Sequence, residues 1–368
     1  MLSEKRLMQL LWYVGYCGEF PVSLVGRIGG HPEWNRHVMY DGLNRGFLVL
    51  YRVEHRRQVV KSLRITEAGL QYMAEHAYDR YVLLVTHRKE MGGSHNNSPE
   101  RILRRHAAAT ALIMAEHAGA AILPEDKPSL QTAQSGTCQK EYESGAAYYY
   151  SIQELRAGIG EASNDVSVRT ARLLGIIVSS RSCFCLYHSG RSRMFWLAGN
   201  EENTVTAVRA LLYARGFQVE VFPQIVIGRS MSVAVKLGRP RLRNAKNYFT
   251  VSDFYDSCFF LTDDANGESL LTLLIHPELQ HRINRQILSH YQLPKSFTRD
   301  YDAVDPTNNQ PIILGYLCDL QRLININEAP YGFQMEPAVF CFDYQVNAIQ
   351  KIVGPMIQVS SIPEVMTK

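Results

Sequence analysis

The hydrophobic pattern changes its period at Gly46, and this change limits the folds open to the first 76 residues. Before Gly46, apolar residues recur every three to four positions, in segments separated by Gly15–Gly18 and by Gly29–Gly30. This spacing predicts three helices. After Gly46 the pattern becomes that of extended chain over Phe47–Val53 and again over Gln58–Ile65. We therefore expect three short helices followed by a β-hairpin.

Local signals support the helix starts. Ser3 is suited to cap the first helix, and Pro21 to occupy the first turn of a short second one. Pro32 suits the first turn of a third helix, Glu33–Asn44. Thr66 precedes a fourth helix that begins at Glu67. The hairpin is therefore expected to lie between two helices.

Positive charge is concentrated on the predicted hairpin. Between residues 45 and 64 a single acid, Glu54, is set against six basic side chains: Arg45, Arg52, Arg56, Arg57, Lys61 and Arg64. Four of them lie on or beside the polar turn Glu54–Arg57, where they are expected to lie at the surface and not to contribute to a hydrophobic core. Cations at such a place are suited to phosphate groups.

The third helix has an apolar face and a polar face. Val38, Met39 and Leu43 are expected to face the first two helices. Five side chains are expected to face outward, namely Trp34, Asn35, Arg36, His37 and Tyr40. Trp34 and Tyr40 remain open to a second interpretation, as core or partner-contact residues. The outward face makes this the candidate recognition helix.

The string Leu63–Gly69, which reads Leu-Arg-Ile-Thr-Glu-Ala-Gly, resembles the strand-to-helix exit of many small winged-helix repressors. That resemblance covers about a fifth of the chain and implies a winged-helix DNA-binding domain. In such a domain a helix offers side chains to base edges, while the hairpin, or wing, contacts phosphates. His55 in the turn joins the candidate DNA contacts. The alternative is that the same elements form a protein–protein module.

Length and charge predict further domains. At 368 residues the chain exceeds one typical domain. We expect a winged helix over 1–90, a basic α/β domain over 91–247 and an acidic α/β region over 248–368. The net charge is only +4, but residues 181–246 carry eleven Lys and Arg against three acids. A Gly/Ser/Asn stretch from Met91 to Ser98 marks the first boundary.

A second arginine cluster lies in the loop Gly238–Asn244. Arg239, Arg241 and Arg243 are held there by Pro240, outside any predicted helix or strand. Such a segment suits a phosphate backbone or a narrow minor groove. The alternative is a solvated loop or one that bridges subunits.

The middle of the chain alternates helices and strands, so the fold class is α+β with a mixed α/β region. Helix, three strands, helix and strand are expected, in the order Asp165–Arg172, Leu173–Ser179, Cys183–Tyr187, Arg193–Leu197, Thr204–Arg215 and Gln218–Phe222. This order resembles a restriction-endonuclease-like core. The carboxylates and lysine that such a nuclease needs are missing from the two inner strands, which indicates a degenerate core used for binding. Pro124–Lys127 resembles the nuclease motif but lies in a loop-like stretch.

The C-terminal part repeats the pattern. Strands are expected at Ser257–Leu261, Leu270–Ile275, Ile312–Tyr316, Val339–Asp343 and Met356–Ser360, with helices at Pro277–Tyr291 and Val346–Val353. One mixed sheet covered by helices is the simplest architecture, and the sequence leaves open whether it continues the preceding sheet.

The sequence gives no sign of an enzyme. It has neither a Gly-rich phosphate loop nor a nucleophile elbow, nor paired histidines at metal spacing, so no catalytic residue, metal or cofactor is expected. Cys183, Cys185, Cys258 and Cys341 lie in apolar runs and are expected to be buried thiols. With no signal peptide or membrane span in the sequence, we expect a cytoplasmic protein that does not contact membranes.

Several stretches together resemble the replication-relaxation accessory proteins of plasmids and integrative and conjugative elements in Firmicutes. They are Leu63–Gly69, the basic helix segment Arg101–His106, and Ala171–Gly175 through Tyr187–Gly190 to Met194–Trp196. The resemblance implies a non-enzymatic protein that binds double-stranded DNA and helps plasmid replication or relaxosome assembly. A relaxase, a replication protein or a second copy would be its partners. The alternatives are a winged-helix repressor whose α/β region senses a ligand or dimerises, and a divergent metal-dependent nuclease.

Overall fold

The computed structural model describes residues 2–90, 98–131, 142–143, 145–160, 172–191, 193–239, 248–251, 254–294, 301–328 and 335–362. The protein is mixed α/β with several sheets. The chain divides into two compact units. The first contains Met1–Val178 with Asn203–Gln218, and the second contains Ser179–Glu202 with Val219–Lys368. The division into three regions that the sequence suggests remains a prediction.

The N-terminal part of the first unit has the predicted order of elements. Its helices are α1 (Leu2–Cys17), α2 (Pro32–Asn44), α3 (Glu67–His76), α4 (Tyr78–Glu90) and α5 (Pro99–His117). Its strands are β1 (Phe20–Pro21), β2 (Leu48–His55) and β3 (Gln58–Ile65). The short helix expected after Pro21 is a 3-10 helix, Val22–Arg27.

Two glycines explain how the hairpin joins its flanking helices. Gly46 has a φ of 71°, a left-handed conformation that glycine adopts without steric cost, and it ends α2. Gly69 lies so close to Phe47 that a Cβ atom would meet the Phe47 carbonyl oxygen at 2.4 Å. The Thr66 side chain accepts a hydrogen bond from the Gly69 N–H and donates one to the Gly46 carbonyl. The Thr-Glu-Ala-Gly string is thus explained by packing at the start of α3.

The hairpin and β1 form one antiparallel sheet in the order β1-β3-β2. Leu48 pairs with Ile65 and Leu50 with Leu63 on one face. Leu48, Leu63 and Ile65 are buried with Leu7, Leu11 and Val14 of α1, as the hydrophobic pattern predicts. Burial of these side chains stabilises the segment by about 2 kcal/mol each.

The rest of the first unit contains an ion pair in its interior. Its described elements are a 3-10 turn at Pro124–Asp126, the strand Ala147–Ser151, the strand Gly175–Ser179 as far as Val178, the helix Ile152–Gly160, and the part of the helix Ala198–Ala214 from Asn203 on. Lys127 Nζ lies 2.8 Å from Glu154 Oε1 and donates to the Tyr149 carbonyl at 2.7 Å. Lys127 therefore has a buried structural role that its loop-like sequence context did not suggest.

The second unit begins with three parallel strands, Ser182–Gly190, Gln224–Gly228 and Cys258–Thr262. Helices Met231–Gly238, Ala265–Ile275 and Pro277–Ile287 accompany them, with a 3-10 turn at Leu288–His290. Parallel neighbours buried on both faces explain the continuous apolar runs in these strands.

The same unit contains another sheet. Its strands, in order, are Gln358–Ser361, Ala338–Cys341, Pro311–Leu314 and Ala303–Val304, and the first three are parallel. Helices Leu320–Glu328 and Val346–Val353 and the 3-10 turn Asp343–Gln345 complete it. From the sequence, the C-terminal strands are expected to form one sheet. This expectation is wrong for Cys258–Thr262, which belongs to the other sheet.

Three strand predictions are wrong. Arg193–Leu197 forms only an isolated bridge between Phe195 and Tyr248, and Gln218–Phe222 only one between Val221 and Ser182. Leu270–Ile275 belongs to the helix Ala265–Ile275, which Asp264 caps by accepting from two backbone N–H groups. This short run is apolar at every position except Thr272 and so carries too little of a period for its sequence to separate strand from helix.

These corrections remove part of the basis for a restriction-endonuclease-like core. The third predicted strand is absent from the described residues, and the strand after the helix Ala198–Ala214 begins only at Gln224. The predicted helix Asp165–Arg172 lies outside the described residues except for Arg172.

Cys183, Cys185, Cys258 and Cys341 are buried, as predicted. Within the described ranges, no helix has both the length and the apolar content to cross a bilayer.

Candidate nucleic-acid interface

Two basic residues face each other near the tip of the hairpin. Arg52 on β2 pairs with Lys61 on β3, and side chains directly opposite each other share one face of an antiparallel pair. Both are exposed. Residues further from the tip on this face, Leu50 and Leu63, approach the core. The face therefore passes from apolar to basic along the hairpin.

The turn itself consists of two arginines in an unusual backbone conformation. Arg56 and Arg57 have φ values of 47° and 64° and connect the paired residues His55 and Gln58. Positive φ at both central positions is typical of a type I′ turn, in which Asn and Gly are favoured. A left-handed conformation costs an ordinary residue about 1 to 2 kcal/mol. The turn thus carries two exposed charges at a cost in stability.

The four tip cations, Arg52, Arg56, Arg57 and Lys61, share a further property. In the part of the chain that the structure describes, none of these side chains makes a hydrogen bond or an ion pair. Each is exposed to solvent. Their charge is therefore available to an external anion.

The arginines at the base of the hairpin behave differently. Arg64 forms an ion pair with Glu19, with 2.6 Å between Nε and Oε1, and its guanidinium lies 3.8 Å from the centre of the Tyr51 ring. Only 11% of its side chain is exposed. The guanidinium of Arg64 therefore neutralises a buried carboxylate within the protein, and its contact with DNA stays a prediction.

Arg45 is engaged as well, although its backbone lies at the exposed end of α2. Its Nη1 lies 3.0 Å from Glu4 and 3.4 Å from Asp41, and its guanidinium covers the Phe47 ring. The hydrogen bond from Tyr72 is the main reason that the pKa of Glu4 lies below its usual value. Glu4 therefore stays ionised and holds Arg45 close to the protein surface.

The second face of the hairpin lies against α5. Ser62 Oγ is 2.6 Å from His106 Nε2, and His55 Nδ1 is 3.9 Å from Glu100. Burial lowers the pKa of His106 to about 4. Arg105 also contacts Glu19, so part of the basic helix segment Arg101–His106 faces the protein interior. His55 lies on this covered face and is only partly exposed.

The outward face of α2 agrees with prediction at four positions. Trp34 and Tyr40 are 60% and 59% exposed, so the interpretation of these two aromatic residues as core is wrong. Arg36 and His37 are also exposed. Arg36 pairs with Glu33 one turn earlier, an exposed pair of small energetic value that a stronger anion can replace.

Asn35 does not face outward, and that prediction is wrong. It is 5% exposed, and its Nδ2 donates to the Ile28 carbonyl at 2.6 Å. The carbonyl ends the 3-10 segment Val22–Arg27, where no helical partner exists for it. Asn35 therefore fixes the start of α2 on the preceding turn, and its buried side chain does not point towards a base.

The second arginine cluster is described only at its first member. Arg239 is exposed and ends the helix Met231–Gly238, and its carbonyl accepts from Arg193. Arg241 and Arg243 lie outside the described residues. Within the described ranges, no three His, Cys, Asp or Glu side chains are grouped as a metal site requires.

No protein-family model, curated protein or solved structure matches the chain. What the described residues offer is a hairpin with four unpartnered cations and a helix with four exposed polar or aromatic side chains. Lys and Arg at such positions suit phosphate oxygens, and Trp, Arg, His and Tyr can bond or stack with bases.

Proposed function

We propose that this protein binds double-stranded DNA through its N-terminal segment, which works as a winged helix. The observation that carries the proposal is the division among the hairpin's cations. Those at the base, Arg45 and Arg64, are neutralised within the protein, whereas the four tip cations have no partner in the described part of the chain.

The tip cations are proposed to neutralise phosphate groups of the DNA backbone. A cation that neutralises a phosphate releases condensed counterions, which supplies affinity without reading sequence. The exposed side chains of α2, Trp34, Arg36, His37 and Tyr40, are proposed to face base edges in the major groove. Arg36 exchanges its Glu33 partner for a base or a phosphate. Affinity then comes mainly from the hairpin and discrimination from the helix.

Fluorescence anisotropy with a labelled duplex of random sequence, titrated over a range of salt concentrations, tests the proposal. The variant Arg56→Ala/Arg57→Ala is expected to bind more weakly and to lower the slope of log K against log salt by about two. Arg181→Ala is the matched control, because Arg181 is an exposed arginine of the second unit that pairs with Glu220. An absence of binding in dilute buffer, or equal losses in both variants, would refute the proposal.

The biological setting is proposed from the resemblance to replication-relaxation accessory proteins. In that setting the protein assists plasmid replication or relaxosome assembly and performs no catalysis itself. A footprint beside a transfer or replication origin is the expected result. A dyad-symmetric footprint upstream of the protein's own gene would instead indicate a repressor, and magnesium-dependent cleavage of plasmid DNA would indicate a nuclease.

A further inference from the structure

A patch of aromatic and basic side chains lies on the second unit, where two extended segments meet. Phe195 and Tyr248 pair as an isolated antiparallel bridge, and the Phe249 N–H donates to the Met194 carbonyl at 2.9 Å. Residues directly opposite each other in such a pair carry their side chains on the same face. The side chains of Phe195 and Tyr248 therefore lie side by side.

The residues next to this pair explain why its two rings face solvent. Trp196 and Phe249 are buried, and their rings meet edge to face with centroids 5.0 Å apart. Trp196 also packs against Tyr187. Side chains alternate along extended chain, so the buried residues turn their neighbours outward. Phe195 and Tyr248 are accordingly 42% and 47% exposed.

An arginine fixes the end of a helix beside the aromatic pair. Arg193, two residues before Phe195, donates to the Lys236 carbonyl at 2.9 Å and 2.7 Å and also to the Arg239 carbonyl. These carbonyls belong to the last turn and the cap of the helix Met231–Gly238, where helical N–H partners are missing. Arg193 thereby holds Lys236 and Arg239 close to the two exposed rings.

The charge at this patch is positive. Arg191, Lys236 and Arg239 are exposed, and Lys236 donates to the Arg191 carbonyl at 3.2 Å. Within the described ranges, the guanidinium groups of Arg191 and Arg239 make no hydrogen bond or ion pair. The sequence has no acidic residue at 191–197 or at 229–251. A polyanion therefore meets attraction and no opposing charge from these segments.

Exposed rings beside such cations match the chemistry of a single-stranded nucleic acid. Its bases are free to stack on aromatic side chains, while Lys and Arg follow its phosphates. In a duplex the bases are stacked on each other, and their faces are not open to a side chain. The patch is therefore suited to a different ligand from that of the hairpin.

We propose that this patch binds a single-stranded nucleic acid, with bases stacked on Phe195 and Tyr248 and phosphates paired with Arg191 and Arg239. Lys236 adds to the positive potential. Every residue of the patch belongs to the second unit, so the proposal does not depend on duplex binding by the hairpin. DNA and RNA single strands offer the same phosphates and base faces, and the experiment distinguishes them.

Fluorescence anisotropy of the full chain with labelled oligonucleotides, at about 150 mM salt to screen distant charges, tests the proposal. The probes are oligothymidylate and oligouridylate of about twelve nucleotides, within the usual site size of single-strand-binding proteins, and an abasic DNA strand of the same length. At least one of the first two is expected to bind about tenfold more tightly than the abasic strand, because stacking needs bases. A preference between the two identifies DNA or RNA as the ligand.

Variants separate stacking from charge. Phe195→Ala/Tyr248→Ala is expected to weaken binding of the preferred strand about tenfold or more, and Phe195→Tyr should retain it. Arg191→Ala/Arg239→Ala should lower the slope of log K against log salt by about 1.4, since each phosphate contact of a single strand contributes roughly 0.7. Tyr213→Ala is the matched control, because Tyr213 is a tyrosine of the first unit that is 84% exposed. Circular dichroism checks folding, and the arginine variant with the abasic strand carries the test if the aromatic variant fails to fold.

The hairpin variant Arg56→Ala/Arg57→Ala distinguishes this proposal from duplex binding, because it should lose affinity for the duplex and keep its affinity for the single strand. Single-strand binding that is lost in the hairpin variant, and not in the patch variants, would overturn the proposal. Equal binding of the abasic strand, or no binding of any single strand, would also overturn it. A dimer that light scattering detects and Phe195→Ala/Tyr248→Ala disrupts, with unchanged single-strand affinity, would instead show that the patch is an interface between copies. Absence of duplex binding alone would refute only the role of the hairpin.

Discussion

Arg64 holds the carboxylate of Glu19 in an interior where Glu19 has no exposed surface. Arg64→Ala leaves that carboxylate with only the longer contact from Arg105, at 3.3 Å. We expect the free energy of unfolding to fall by about 3 kcal/mol or more, because a buried charge loses its main partner. Lys61→Ala, on the same strand but exposed, should change it by less than about 0.5 kcal/mol. Urea unfolding of both variants checks this, and similar losses would contradict the assigned roles.

Asn35 and Arg36 are neighbours in sequence with opposite expected effects. Asn35→Ala leaves the Ile28 carbonyl without its donor and should lower the free energy of unfolding by about 1 to 2 kcal/mol. It should not alter the ratio of affinities for specific and random duplexes. Arg36→Ala should leave stability almost unchanged and lower that ratio. The lost discrimination corresponds to about 1 to 3 kcal/mol if Arg36 contacts a base. Urea unfolding and competition binding measure the two quantities, and the reverse pattern would count against the described placement of α2.

His106 makes the contact between α5 and the hairpin dependent on pH. Its pKa is about 4 in the folded protein, below the ordinary value of 6.5, so the unfolded chain takes up a proton first as pH falls. Its stabilising contribution is therefore complete above pH 6.5 and is lost progressively towards pH 4. Between pH 7.5 and pH 5 the loss is about 2 kcal/mol.

His106→Gln retains a polar group near Ser62 and removes this titration. Urea unfolding at the two pH values should give a smaller difference for the variant than for the native protein. His37→Gln is the control, because His37 is exposed on α2. If His106→Gln kept the full pH dependence, another group would have to be responsible.

The N-terminal elements were predictable because their local signals agree with the fold. Helical spacing, Pro32 at a first turn, Gly46 at a left-handed position and Thr66 as a cap all predict the observed boundaries. The strands predicted at Arg193–Leu197 and Gln218–Phe222 did not form. Extended, apolar residues become a strand only where a partner strand lies beside them, and the tertiary structure decides this. The strand predicted at Leu270–Ile275 is helical instead, because a run that is apolar at all but one position carries little period.

The candidate site was predictable in composition but not in pairing. The sequence places Arg45 and Arg64 beside Arg52 and Arg56, and nothing local separates the two sets. Their difference comes from Glu4 and Glu19, which are 41 and 45 residues away in sequence. Asn35 was misassigned for a similar reason, since its partner belongs to the preceding turn.

The two arginines of the turn allow stability and DNA affinity to be separated. Arg56→Asn/Arg57→Gly installs the residues that a type I′ turn favours, so the free energy of unfolding should rise by about 1 to 2 kcal/mol. The same change removes two of the four tip cations, so duplex binding should weaken. A variant that is both more stable and a weaker binder cannot be explained by damage to the fold.

The dependence of duplex affinity on salt, measured by anisotropy for the native protein and for Arg56→Asn/Arg57→Gly, is the most direct test that the hairpin binds the phosphate backbone. We predict a linear fall of log K with log salt for the native protein and a slope smaller by about two for the variant. Equal slopes and equal affinities, in a variant that folds normally, would contradict the account.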